Sequence, residues 1–600
     1  MCGIDIQFDI KRKNRFKANS FMNHRGPDYH DTIFRFNGSL RLSHWRLSII
    51  DLKDRSNQPY QSSDGRYVLV FNGEIYNYLE LRKSFISEGI VFHTDSDTEV
   101  LMVFIERFGF SKLNLLEGMF SFAVWDSKSD TLTIVRDKFG IKPLYWRLDD
   151  QKLEIGSEIK QVLPLNPRFN LPRVLDYLES GLTDFSDETL FDSVFQVEPG
   201  CLIEFKITET VKLKKNKWAK ENLRLTPSDN FENLFEESIE KHFRSDVEVG
   251  SCLSGGLDSA AIVAASSKRA DEKAFKTFTA VFPGSSVDES RKAKSISEFC
   301  VTDHYEVEVN PHDALERIEK LTWHHDEPTG SSSMFAQWRV FEDAKKYGVK
   351  VMLDGQGADE ILGGYHSTFP YITIEQDFQS KNTEKTKLDV LSRIAKLKRG
   401  NRSSKNASDR SFSGSWLATN LLELDPNRIN AWNNALEYKG FKEPRSVKEF
   451  CSVMTYAVSL PTLLHSEDRN SMAHGIEARV PFLYQKLADY SLNLGTNQRM
   501  NSTFTKLPVR DYLVGKVPPE IYQEPRKLGF ATPEQDWFRG VIAEKVESLF
   551  METVNEFPQF FNRTNTIRIF NDRMSGKVAW DFTIWRILSF SAWVRVFNLS

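Results

Sequence analysis

Hydrophobic and polar residues alternate differently in the two halves of the chain. Up to about residue 205 the dominant pattern is period two, the mark of strands with one buried face. "GMFSFAVWDSKSDTLTIVRD" (118–137) is two such runs around a polar turn, which predicts a hairpin. "YVLVFNGEIYN" (67–77) predicts a strand that runs into a polar turn at Asn72-Gly73. "DTEVLMVFIERFG" (97–109) instead has helical spacing and a stop at Gly109. "EPGCLIEF" (198–205) reads as the last strand of this half. From "LKKNKWAKENLRLTPSDN" (213–230) the chain turns basic and polar, which predicts a linker over 209–227.

Beyond the linker, short β-branched runs alternate with glycine turns and helical segments. "VEVGSCL" precedes a glycine turn and "DSAAIVAASSK"; "FKTFTAVF" precedes a charged helix; "VKVMLDG" precedes another glycine-rich turn. Strand, glycine turn and helix in repetition predict a parallel sheet wrapped by helices. The charged, Ser/Asn-rich segment 378–412 reads as a surface insertion, and no repeat of fixed period is present. The expected architecture is α/β in two domains: a β-rich unit over 1–208 and a helix-wrapped parallel sheet over 228–600.

Composition narrows the class. Six hundred residues exceed a single core, so two or more domains are expected. The 79 basic and 83 acidic residues nearly cancel, leaving a net charge of −4, which argues against a nucleic-acid-coating protein. No apolar run approaches the ~20 residues of a membrane helix. The start "MCGIDIQF" leaves no room for a signal peptide. The five cysteines are scattered without paired spacing, so neither a disulfide framework nor a zinc site is expected, and a reducing cytoplasm is the expected compartment.

Three stretches carry candidate chemistry. Removal of Met1 would make Cys2 the first residue, with thiol and α-amine on one residue. An α-amine titrates near ~8, and a nucleophile activated by its own terminal amine is an established arrangement. "SCLSGGLDSA" (251–260) follows a predicted strand and opens a helix, so glycines and free N–H groups could receive an anion. Ser254 and Ser259 add hydroxyl donors, and Asp258 beside a phosphate implies Mg²⁺ between them. "MLDGQGADEILGGYH" (352–366) is a second such loop, and Asp258 and Asp359 are the expected ligands of a shared Mg²⁺. The sequence holds neither G-x-x-x-x-G-K-[ST] nor G-x-G-x-x-G.

Motifs in order along nearly the whole chain resemble the glutamine-hydrolysing asparagine synthetases: "MCGI", "NHRGPD", "SHWRLSIIDL", "FNGEIYNY", "HTDSDTEVL", "LSGGLDS", "LDGQGADE", "EDRNSMAHGIEARVPFL" and "RKLGFATP". The resemblance implies an N-terminal nucleophile hydrolase αββα sandwich followed by an ATP-pyrophosphatase-type domain. It implies that Cys2 hydrolyses glutamine, that Asn72 and Gly73 form the oxyanion hole, and that Arg46, Ile49, Glu74 and Asp97 hold the substrate. It places ATP on Leu253, Ser254, Gly255, Gly256, Asp258, Ser259, Ala280, Asp354 and Gly355, with Lys527 neutralising the departing pyrophosphate. Ammonia would cross the protein interior to an acyl-adenylate, giving an amide, AMP, diphosphate and glutamate. The partners implied are glutamine, ATP and a carboxylate, with a homodimer as the oligomeric option.

Two departures from the family pattern stand out. Ile6 occupies a position where the family usually has a small residue. Gln356 stands where the family usually has an acid, and Asp354 lies two residues earlier. Ser333, Gln337 and Gln356 form the expected acceptor region, and the acceptor is aspartate or a sugar uronate of surface-polysaccharide synthesis, the latter preferred. A β-lactam-synthetase-like cyclase and a non-catalytic homologue are the alternatives.

Overall fold

The structure, a computed structural model, describes residues 2–11, 20–208, 210–219, 229–269, 275–379, 416–418, 430–525 and 529–599. Nearly all of the predicted insertion, from 380 to 412, and Lys527 lie outside the described residues.

The first half is built on two antiparallel six-stranded sheets. In one, Gly3–Phe8 lies between Leu40–Arg46 and Lys152–Gly156. In the other, Tyr67–Ile75, Gly118–Asp126, Thr131–Arg136 and Cys201–Ile207 follow one another in space. The period-two pattern becomes a core between them: Ile4, Ile6 and Phe8 meet Val68, Val70, Ala123, Trp125 and Ile134. Ile6 is fully buried there, so this departure from the family pattern is absorbed by packing between the sheets. The helices Tyr78–Ser87 and Asp97–Phe108 pack on the outer face of the second sheet through Phe85 and Val100–Ile105. The latter is capped by the Ser96 side chain and ends at Gly109, φ +56°, where the sequence placed its stop.

Two local expectations are corrected. The strand does not turn at Asn72-Gly73; it continues to Ile75, paired throughout with Gly118–Asp126. Within the expected linker, Val211–Lys217 is a strand paired with Cys201–Ile207. Its lysines are those of an edge strand, a common way of keeping an edge from pairing with another chain.

The second half holds a five-stranded parallel sheet in the order Asp303–Glu308, Lys276–Val281, Val249–Cys252, Val351–Leu353, Glu477–Arg479. The chain order reverses between Val249–Cys252 and Val351–Leu353. Loops at the carboxyl ends of strands flanking such a switch point open a crevice, and the two glycine-rich loops are the ones found there. The helix Leu171–Ser180, although early in sequence, packs in the core of this half with Trp585 and Trp593 of the helix Thr583–Phe597. No helix among the described residues is long and apolar enough to cross a membrane.

Buried ion pairs lock the halves together. Arg25 is wholly buried; its guanidinium donates to Glu158 (3.1 Å) and twice to Asp468 (2.8 and 3.1 Å) on the helix Leu460–Met472, and its Nε donates to the Cys2 carbonyl (3.1 Å). Arg469 on the same helix donates to the Ser157 carbonyl at 3.2 Å, and Lys138 donates to both oxygens of Asp489 (2.7 and 2.9 Å). Removing one partner of a buried pair strands the other charge at a cost of about 3–5 kcal/mol. Arg25→Met is therefore expected to lower the melting temperature markedly in scanning calorimetry. Arg107→Ala, which breaks the partly exposed pair with Glu88, is expected to cost less than about 1 kcal/mol.

Candidate functional site

Cys2, the candidate nucleophile, sits where the two sheets and the second domain meet. Cys2 is buried, and its backbone nitrogen donates to Asn72 Oδ1 at 2.9 Å. Burial pushes the thiol up, while the Leu47 backbone and the Arg46 charge pull it down. Asn72 Nδ2 has Ser121 Oγ at 3.5 Å, a long contact that leaves this amide able to turn to a ligand. Gly73 has φ +143°, and a Cβ there would lie 2.0 Å from the Met119 carbonyl oxygen. Only glycine lets the strand keep its pairing and still present Asn72 to Cys2.

Arg46 is placed by the "RGPD" turn: Asp28 N donates to its carbonyl at 3.0 Å, and a Cβ at Gly26 would lie 2.2 Å from Trp45 C. Its guanidinium is already committed to the loop that follows, donating to Ile50 O, Asp51 O, Lys53 O and Asn57 Oδ1. The Arg46 guanidinium thus holds the 50–57 loop. Ile49 spends its carbonyl on Asp246 N at 3.0 Å. Glu74 and Asp97 do converge. Asp97 accepts from Ile75 N at 3.0 Å, and burial pushes it up to about 6. Burial and the nearby Glu477 push Glu74 well above the carboxylate range, against the pull of Arg479.

Arg479, which the sequence reading did not single out, joins these acids. It comes from the second domain, donates to Glu477 (2.6 Å), His242 O (2.8 Å) and Arg244 O (2.7 Å), and stands 3.5 Å from Glu74. The signal was present in "IEARVP": three buried residues, two of them charged, in one short strand.

The crevice in the second domain brings together most of the residues expected of a nucleotide site. Leu253, Ser254, Gly255, Gly256, Asp258 and Ser259 line it, as do Ala280, Gln337, Asp354, Gly355, Gln356 and Asp359. The turn is self-supporting: Ser259 Oγ lies 3.1 Å from both Ser254 N and Ser254 Oγ. Gly255 sits at φ +81°, and the helix Leu257–Ser266 starts immediately behind Gly256. A Cβ at Gly355 would lie 2.9 Å from Asp258 Cβ, so the two loops touch because that residue is glycine. Leu253 N donates to Phe278 O at 2.8 Å and its carbonyl accepts from Thr279, so its expected backbone contact with adenine becomes an apolar wall. Ser333 is buried in the first turn of the helix Ser333–Lys346 and is not part of the crevice wall. Gly529 and Phe530, just beyond Lys527, line the mouth.

Asp258 and Asp359 face one point, and the ammonium of Lys506 occupies it: Nζ is 2.5 Å from Asp258 Oδ2 and also pairs with Asp359 Oδ1. Two hard carboxylate oxygens converging beside a phosphate loop are a donor set that fits Mg²⁺. Lys506 was not read from the sequence. It stands at φ +54° at the start of the helix Leu507–Leu513, a conformation that L residues other than asparagine and aspartate seldom adopt. Arg510, one turn on, also lines the crevice and donates to Thr505 O and Tyr522 O.

Comparison with known proteins agrees with this arrangement. Residues 230–595 match the asparagine synthase family and residues 1–218 the glutamine amidotransferase domain family. Asparagine synthetase [glutamine-hydrolyzing] 1 of Bacillus subtilis is 28% identical over 604 residues, covering 96% of this chain and 92% of that protein. Asparagine synthetase B of Escherichia coli is 31% identical over 389 residues, 61% of this chain and 65% of that one. Amidase chry2 of Gibberella zeae is 27% identical over 583 residues, 88% of this chain and 86% of that one. With an amidotransferase half, a synthetase half and the two crevices described above, the chain belongs to the glutamine-hydrolysing asparagine synthetase family.

Proposed function

We propose that this glutamine-dependent, ATP-consuming ligase amidates a carboxylate on a hydroxyl-rich molecule, a sugar uronate, in preference to free aspartate. The observation that carries the reading is the surroundings of Gln356. Glu467 accepts from Gln337 Nε2 and from Gln356 Nε2 (3.4 Å), and Asp354 accepts from Gln337 (3.4 Å). These are amides and carboxylates, groups that bind hydroxyls. Among the described cations of the crevice, Lys506 pairs with Asp258 and Asp359, Arg510 donates to backbone carbonyls, and Lys292 lies 3.5 Å from Glu289.

In the first site, loss of Met1 leaves the Cys2 amine where Asn72 Oδ1 already holds this nitrogen. The amine takes the thiol proton as sulfur attacks the glutamine side-chain carbonyl. The Asn72 amide and the Gly73 N–H stabilise the oxygen as charge develops on it, ammonia departs, and water releases glutamate. Asp97 and Glu74 receive the substrate ammonium, and Arg46 supplies positive charge for its carboxylate. In the second site, the carboxylate attacks the α-phosphorus, pyrophosphate leaves into the turn formed by Ser254–Ser259, and ammonia displaces AMP. Lys506 and Lys527 neutralise the leaving pyrophosphate. Mg²⁺, which neutralises phosphate charge, would be held by Asp258 and Asp359 once Lys506 turns from them to the pyrophosphate.

Cys2→Ala is expected to abolish glutamate release and glutamine-driven amide synthesis while ammonium-driven synthesis survives. The KM for glutamine is expected to rise as pH falls through about 6, because protonation removes the Asp97 charge that pairs with the substrate ammonium. Asp97→Asn should raise that KM about 10–100-fold, the worth of one charged hydrogen bond, and flatten its acid limb. ATP–pyrophosphate exchange is expected to be stronger with glucuronate than with aspartate; exchange driven by aspartate alone would end the uronate reading.

A further inference from the structure

Amide formation from an acyl-adenylate releases a proton, and Gln356, the side chain that the second loop points toward the acceptor, cannot take it. We infer that Glu467, on the helix Leu460–Met472, is the proton acceptor for the nitrogen that attacks the activated carboxyl carbon; this rests on the amide-forming reading above.

Four observations converge on this residue. Glu467 is only 3% exposed. Its Oε2 accepts from both amides that border the acceptor region, Gln337 and Gln356. Its Oε1 is buried without an N–H or hydroxyl donor among the described residues, and the group beside it is the Asp354 carboxyl. Two acids thus share one dry pocket between the amides, which raises the affinity of the pair for a proton. The fourth observation is direction. Asp468, the next residue, grips Arg25, whose Nε holds the Cys2 carbonyl. The junction 467–468 therefore touches the nucleophile's support on one side and the acceptor loop on the other.

The alternative acid, Asp354, is less suited. Its Oδ1 is tied to Gly355 N at 2.5 Å, where it shapes the loop, and its Oδ2 faces Gln337. A further chain of hydrogen bonds aims the amides at Glu467. His325 Nε2 meets Asn470 Oδ1 at 2.8 Å, and Asn470 Nδ2 donates to Gln337 Oε1 at 2.8 Å, which turns Gln337 Nε2 toward the carboxylate. The charged groups facing Glu467 are Asp354, which with burial raises its proton affinity, and Lys142, which lowers it. In the step itself the ammonia lone pair forms the C–N bond. One N–H proton passes to the Glu467 carboxylate. The C–O bond to phosphate breaks, with its electron pair leaving on AMP.

The test is Glu467→Gln, which keeps shape and hydrogen bonding but cannot accept a proton. Exchange in the unmodified protein with aspartate and with glucuronate reports on the acceptor reading alone, and the variant is then compared on the carboxylate that exchanges. Glutamate release should stay within about twofold, and any fall in ATP–pyrophosphate exchange should be far smaller than the fall in amide synthesis, because exchange needs the acceptor bound but does not use this proton. Amide synthesis should fall about 10²–10⁴-fold with glutamine and with ammonium alike, so that glutamate accumulates without amide. Gln356→Glu introduced into the Glu467→Gln protein should recover amide synthesis at least tenfold. An unchanged ratio of amide to glutamate would overturn the proposal. Loss of exchange in step with amide synthesis would also overturn it, because Glu467 would then serve the acceptor's binding or the local fold.

Discussion

One buried guanidinium sets the geometry of this protein. Arg25 comes from the first half of the chain, yet it accounts for the position of Cys2, of Glu158 and of Asp468 on a helix of the second half. Taking such a charge out of water is costly, and the cost is met only while every partner is in place. A small tilt between the halves would part the Arg25 guanidinium from Asp468 in a dry interior. Further buried contacts across the same boundary, Lys138 with Asp489 and Arg479 with Glu74, repeat the constraint at other points. The two halves are thus held in one fixed relation.

Each crevice depends on a glycine at a point of contact between chain segments. Gly73 lets a strand pass within reach of the Met119 carbonyl while it presents Asn72 to the nucleophile. Gly355 lets the second loop rest on Asp258. In both places a methyl group would push apart the groups that do the chemistry. Charge is treated differently in the two sites. Around Glu74 and Asp97, burial and the neighbouring Glu477 raise carboxyl proton affinities. In the nucleotide crevice, Lys506 already balances the two aspartates, so the anion-binding turn is kept ready by an internal cation.

Much of this could be read along the chain. The hairpin 118–137, the helix ending at Gly109 and the strand–turn–helix units around Gly255 and Gly355 are local matters of period, cap and turn. The reading failed at Asn72-Gly73, taken for a turn because those residue types favour turns; pairing with Gly118–Asp126 overrode the local preference. It failed again at 211–217, where lysines that suggest a linker decorate an edge strand.

What the sequence determined by itself was the chemistry within single segments: the thiol at Cys2, the Ser-Gly-Gly-Leu-Asp-Ser turn, and the order of sheet-forming and helix-forming stretches. These depend on neighbours a few residues apart, and such information is linear. Only the tertiary structure decided the pairings: Arg479 with Glu74, Lys506 with two aspartates, Glu467 with Gln356, and Arg25 with both halves. The separations in sequence between these partners run from 111 residues for Gln356 and Glu467 to 443 for Arg25 and Asp468. Nothing in a residue's own surroundings along the chain identifies which distant charge will share its burial. That choice is made when the core closes, because a buried charge must find its partner among the groups that the packing brings within reach.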